Sequence, residues 1–142
     1  MKSSLGKLGV ILIGLAIFGY ADAWARDWRL YAKTDLYECF YDAENITRSS
    51  KNIVGVWARL EYTEKGISGI VKEFGKHYEN LSYSLELWEI DCVKKKQRIL
   101  SITEYSVEGS ILYMNPAKSR PSAWKSISRE AVGESLYNAV CK

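Results

Sequence analysis

From Asn52 to Tyr62 the sequence reads NIVGVWARLEY, with apolar residues at every second position. Val54, Val56, Ala58, Leu60 and Tyr62 share one side, and Trp57, Arg59 and Glu61 the other. Successive side chains of an extended chain point to opposite faces, so this pattern predicts a half-buried strand of an antiparallel sheet. Such a strand cannot stand alone, and the flanking sequence supplies neighbours. WRLYAKT (28–34) and LYECFYD (36–42) are aromatic-rich segments divided by Asp35, as an opening hairpin or kinked pair requires. The polar stretch DAENITRSSK (42–51) is turn-forming. Beyond it, QRILSITEYS (97–106) and SILYMN (110–115) flank a turn containing Gly109.

The longest strand candidate is NLSYSLELWEIDC (80–92), and its pattern slips. Tyr83, Leu85 and Leu87 share one face, whereas Trp88, Ile90 and Cys92 share the opposite one. A bulge near Leu87-Trp88 would restore one core face. The alternative is a strand covered on different sides in its two halves, by a helix on one and a partner subunit on the other. Between the strands, EKGISGIVKEFGKHY (64–78) places Ile67, Ile70, Val71, Phe74 and Tyr78 at helical spacing, and Gly66, Gly69 and Gly75 weaken it into a short or frayed helix. Residues 116–127 read as a loop with two prolines and Trp124. A closing helix follows, with Ser128 as N-cap, Glu130 in its first turn and an apolar stripe of Val132, Leu136, Ala139 and Val140.

The N-terminus opens with Lys2 and Lys7, continues with a 13-residue uncharged run from Leu8 to Tyr20, and ends in small residues at A-x-A spacing. This is the pattern of a secretory signal peptide, with cleavage after Ala23 or Ala25. The run is too short for a membrane span. We therefore expect a signal over 1–25 and one exported domain over 26–142, in the periplasm, at the cell surface or secreted, with no membrane span after cleavage. No cysteine ends the signal, so no lipid anchor is expected. Removing Lys2, Lys7 and Asp22 from the 20 basic and 17 acidic residues leaves 18 and 16, net +2, a balance too weak to argue for nucleic acid as a partner, and none is expected. All three cysteines, Cys39, Cys92 and Cys141, lie in the exported part, where disulfides form. Of the three pairings, Cys92 with Cys141 would tie the fraying last residues to the end of a long strand, and it is the pairing chosen. Cys39 is then the odd thiol, either a buried small hydrophobe or a handle for an intermolecular bond.

Sites for chemistry are few. His77 is the only histidine; paired with Cys39 it would form a thiol–base dyad, but nothing in sequence brings the two together. One histidine and no closely spaced cysteine pair give no metal site, and no phosphate-binding loop is present. We expect no catalytic residue, no metal and no cofactor. Asn45 and Asn80 stand in glycosylation sequons, which occur often by chance. Lys94, Lys95 and Lys96 with Arg98 have two readings: a basic knob for acidic ligands, or a hairpin tip kept soluble by lysine, which is the preferred one. Trp57, off the apolar face of its strand, and Trp124, in the proline loop, complete the candidate ligand-binding residues.

The order NLSYSLELWEIDC, QRILSITEYSVEGSILY, a proline loop with a tryptophan, and a terminal GESLYNAVC is similar to the bacterial surface-adhesin protein E family, over about Trp28 to Cys141. The resemblance implies an α+β fold, an antiparallel sheet of about six strands with a C-terminal helix packed on one face and tethered by the Cys92–Cys141 disulfide. It implies a non-enzymatic module that binds host proteins such as vitronectin, laminin and plasminogen and can form a homodimer. The alternative is a periplasmic, envelope-associated structural domain with no adhesive role.

Overall fold

The computed structural model describes residues 26–49, 51–115 and 122–142. The signal expected over 1–25 and the proline-bearing part of the loop, 116–121, lie outside the described residues. The core of the fold is one antiparallel sheet of six main strands: β1 (Trp28–Lys33), β2 (Tyr37–Asp42), β4 (Ile53–Tyr62), β5 (Leu81–Asp91), β6 (Lys96–Ser106) and β7 (Ile111–Asn115), in the spatial order β1-β2-β4-β5-β6-β7. Two short strands extend it: β3 (Thr47–Arg48) pairs with β4 and β8 (Lys125–Ser126) with β6. Among the described residues the α-helices are α1 (Glu64–Phe74) and the C-terminal α2 (Val132–Val140). The fold is the expected α+β architecture.

Strand register places each side chain. Cross-strand partners share a face, so the pairs Val54–Ile90, Val56–Trp88, Ala58–Glu86 and Leu60–Ser84 run down one side of the two central strands. This is the core face. Tyr41, Val54, Val56, Ile90 and Ile127 cluster there with Leu136 and Val140 of α2. The disulfide joins Cys92, just past β5, to Cys141, just past α2, as expected. Three polar contacts back it up. The Tyr137 hydroxyl donates to the Cys92 carbonyl at 2.9 Å, the Arg48 guanidinium to the Val140 carbonyl at 3.0 Å, and the Lys95 ammonium pairs with Glu134 at 2.9 Å.

The bulge expected near Leu87-Trp88 of this strand is not found, and no single core face is restored; the irregularity at that point lies in the partner strand. Leu87 pairs with Ser101 and Trp88 with Ile99, which leaves Leu100 of β6 as the extra residue. Strand β5 pairs with β4 without interruption. Ser84, Glu86, Trp88 and Ile90 therefore share the core face, and Tyr83, Leu85 and Leu87 the opposite one. A second irregularity leaves Ser82 unpaired and turns Leu81 inward beside Ser106.

Helix α1 is capped by Thr63, whose hydroxyl accepts from the Gly66 amide at 3.1 Å while donating to the Asp35 carbonyl at 2.6 Å. It ends at Gly75, whose φ of 114° suits glycine, and a 3₁₀ turn follows over Lys76–Tyr78. The weak helix thus forms, and one of its glycines is required. A Cβ on Gly66 would collide with the Leu36 carbonyl oxygen, so α1 docks on the β1–β2 turn through bare backbone. The expected start of the closing helix is corrected. Ser128 does not cap it, and Glu130 is not in its first turn; Glu130 has φ 61° and the helix begins at Val132 after Ala131. The chain turns there because the Glu134 carboxylate reaches back and accepts the Glu130 amide at 2.6 Å.

Candidate functional site

The face opposite the core carries an unusual load for a surface. Its transverse rows follow from register: Leu30, Phe40, Arg59, Leu85, Thr103 and Met114; then Trp57, Leu87 and Ser101; then Gly55, Glu89 and Arg98; then Ile53, Asp91 and Lys96. Both helices pack on the other side, against Tyr41, Val54 and Ile90 for α2 and over Tyr78, Glu104 and Tyr113 for α1. Leu30 and Met114 are more than half exposed, and Phe40, Trp57, Leu85 and Leu87 keep partial exposure. Among the described residues, then, no helix covers Trp57. An apolar centre flanked by charge is the layout of a protein-binding surface.

At one end of this open face, Arg59 stacks its guanidinium 4.0 Å from the Tyr83 ring, and Tyr83 stacks on Tyr105 at 4.9 Å. At the other end lies the lysine turn. The structure divides the run by role. Lys95, in the left-handed region at φ 52°, points to α2, bonding Glu134 and lying 5.4 Å from the Tyr137 ring. Lys94 and Lys96 instead line a cavity of about 420 Å³ with Lys51, Ile53, Asp91 and Trp124. Arg98 is held between the Glu89 carboxylate, at 2.6 Å, and the Trp124 ring, at 4.4 Å. The Asp91 carboxylate is occupied with the turn itself, accepting the amides of Val93 and Lys94. Four of the sequence candidates, Lys94, Lys96, Arg98 and Trp124, therefore meet at one end of the open face, Trp57 stands at its centre, and Lys95 faces away.

The thiol–base dyad gains no support. Cys39 is fully buried under the sheet's core face, and burial pushes its thiol up to about 11. His77 is exposed in the 3₁₀ turn, its ring 4.1 Å from Tyr78. Among the described residues there is no metal-ligand cluster, and no helix is long and apolar enough to cross a membrane.

One group escaped sequence reasoning. Glu86 lies on the core face and is buried, its Oε2 accepting from the Trp88 indole at 2.8 Å and its Oε1 from the Ser84 hydroxyl at 3.4 Å. Burial holds its carboxyl above the usual range, against the pull of those two donors. The signal lay in the alternation Ser84, Glu86, Trp88, Ile90, which places a carboxylate in register with core residues.

A family model described as surface-adhesin protein E matches residues 28–142. Comparison with curated proteins and with solved structures returned no match.

Proposed function

The chain belongs to the surface-adhesin protein E family, and we propose that it is an exported, non-enzymatic module that holds a protein partner on its open sheet face. The observation that carries this reading is the uncovered row of Leu30, Phe40, Leu85 and Met114 beside Trp57 and Leu87, ending in the basic cavity at Trp124. Burying half-exposed apolar side chains supplies the drive for association. Lys51, Lys94 and Lys96 add selectivity for a partner with acidic groups near its apolar patch, and speed the encounter at low salt.

Two experiments test the proposal. Impermeant protease applied to intact cells should remove the protein if it stands at the surface; survival until the outer membrane is opened would favour the periplasmic, envelope-associated role. Purified protein should bind immobilised vitronectin, laminin or plasminogen, and Leu87→Arg, at a position exposed enough to accept a charge, should abolish binding without lowering stability. Retained binding by that variant would remove the open face from the mechanism. Sedimentation of wild type and variant shows in parallel whether a second copy of this chain occupies the same face.

A further inference from the structure

On the core face, between the sheet and the first turn of α2, lies a cavity of about 250 Å³. Tyr31, Tyr37, Trp88, Gln97 and Leu136 line it, with Glu86 contributing the charge-bearing group. Its volume falls below the ~300–1,000 Å³ of sites for drug-sized ligands, so it suits a small group. Glu86 is only 7 % exposed. A carboxylate has about four acceptor positions, and the two donors described above, both neutral, are the partners it has among the described residues; no lysine or arginine there lies within ion-pair distance. A buried anion without a cation is costly. Aromatic rings around a carboxylate are the arrangement that recognises ammonium groups, through ring quadrupole and charge together.

We propose that this cavity is a binding site for a small alkylammonium ion, held by Glu86 among Tyr31, Tyr37 and Trp88. The site lies on the opposite side of the sheet from the open face, so it stands independently of the partner-binding reading. Binding the cation stabilises the ionised form of Glu86, and affinity therefore rises with pH as Glu86 gives up its proton. The other titratable groups facing Glu86 are Tyr31 from β1, Tyr37 and Cys39 from β2, Tyr62 from β4 and Glu104 from β6. Burial raises the three tyrosines and Cys39, so they stay neutral near neutral pH and add no charge of their own to the cavity. The first turn of α2 contributes Val132 and Gly133, and its own acid, Glu134, is engaged by Lys95.

The test is a titration of the folded protein with choline chloride, and in parallel with 3,3-dimethylbutan-1-ol, which replaces the quaternary nitrogen by carbon. The readout is the indole N–H resonance of Trp88. Choline should shift it saturably, with affinity rising as pH is raised, and the neutral alcohol should bind at least about tenfold more weakly. Glu86→Gln keeps an acceptor for Trp88 and should lose choline binding by a similar factor. Equal affinity for the alcohol, no shift with choline up to about 100 mM, or unchanged binding in Glu86→Gln would overturn the assignment. The choline-against-alcohol comparison uses the wild-type chain alone and decides the matter even if the variant does not fold.

Discussion

Replacing both Cys92 and Cys141 by alanine should lower stability by about 4 kcal/mol while leaving the native contacts of α2 in place. The magnitude follows from the 49-residue separation of the bonded cysteines. In the chain-entropy model, closing a loop of that length withdraws about 4 kcal/mol of disorder from the unfolded chain at 25 °C. That is about a quarter or more of the ~5–15 kcal/mol typical of a whole domain. The native state is less affected, because Leu136 and Val140 stay buried and Tyr137, Arg48 and Lys95 still hold the helix. Urea unfolding followed by far-UV circular dichroism separates these effects. With a slope of ~2 kcal/mol per molar urea, the midpoint should fall by about 2 M with the native spectrum unchanged. A fall below about 0.5 M would refute the loop argument. A lost helix signal in the absence of urea would show instead that α2 depends on the bond for docking.

The two glycines of α1 should respond to alanine with opposite signs: Gly69→Ala, with open space around its Cβ, should gain up to about 1 kcal/mol in helix propensity, and Gly66→Ala should lose ~1–3 kcal/mol through collision with Leu36, both read by thermal unfolding. Cys39 should resist iodoacetamide at neutral pH in the folded protein and react once urea unfolds it, since its thiol is buried and pushed up to about 11; reaction at native rates would contradict the burial. The raised carboxyl of Glu86 carries a signed pH dependence. An acid whose folded value lies above its unfolded one favours the native state while protonated, so its contribution falls as pH rises from the ordinary glutamate value of 4.5 toward the folded value. Glu86→Gln should flatten that part of the stability profile and raise stability at neutral pH; an unaltered profile would mean Glu86 is not the group responsible. Glu134, lowered by its hydrogen bond with Lys95, acts in the other direction and gives up its contribution as pH falls through and below that same 4.5.

Strands were legible wherever one face alternated cleanly, as in Asn52–Tyr62, because burial of one side imposes period two. The central strand was harder. Leu85 and Leu87 look like core residues by hydrophobicity, yet they occupy the open face, while Ser84 and Glu86 occupy the packed one. The bulge that does occur there, at Leu100, lies in the neighbouring strand and leaves the two faces of β5 unchanged. Its trace in the sequence is the pair Ile99 and Ile102, three apart yet on one face, which a regular strand does not allow. The lysine run was opaque for a different reason. Lys95 is set apart from Lys94 and Lys96 by a partner 39 positions away and by a left-handed backbone, and neither is encoded in the run itself. The helix start was missed because no side chain caps it: the chain turns at Glu130, whose amide is held by Glu134 from within the helix, and the helix begins only after Ala131.

The position of the disulfide also sets how the domain carries load. A pull on Lys142 passes through Cys141 into Cys92 and so enters the sheet at the end of β5, between β4 and β6. The segment closed between the two cysteines, with both the basic turn and α2 in it, lies outside the path of the force. There the strand is held on both sides, by the backbone ladder to β4 and the one to β6. A pull on the other end meets β1, at the edge and paired on one side only, which peels. Tension between the ends should therefore strip the N-terminal hairpin first and leave the end of the sheet at Trp124 intact.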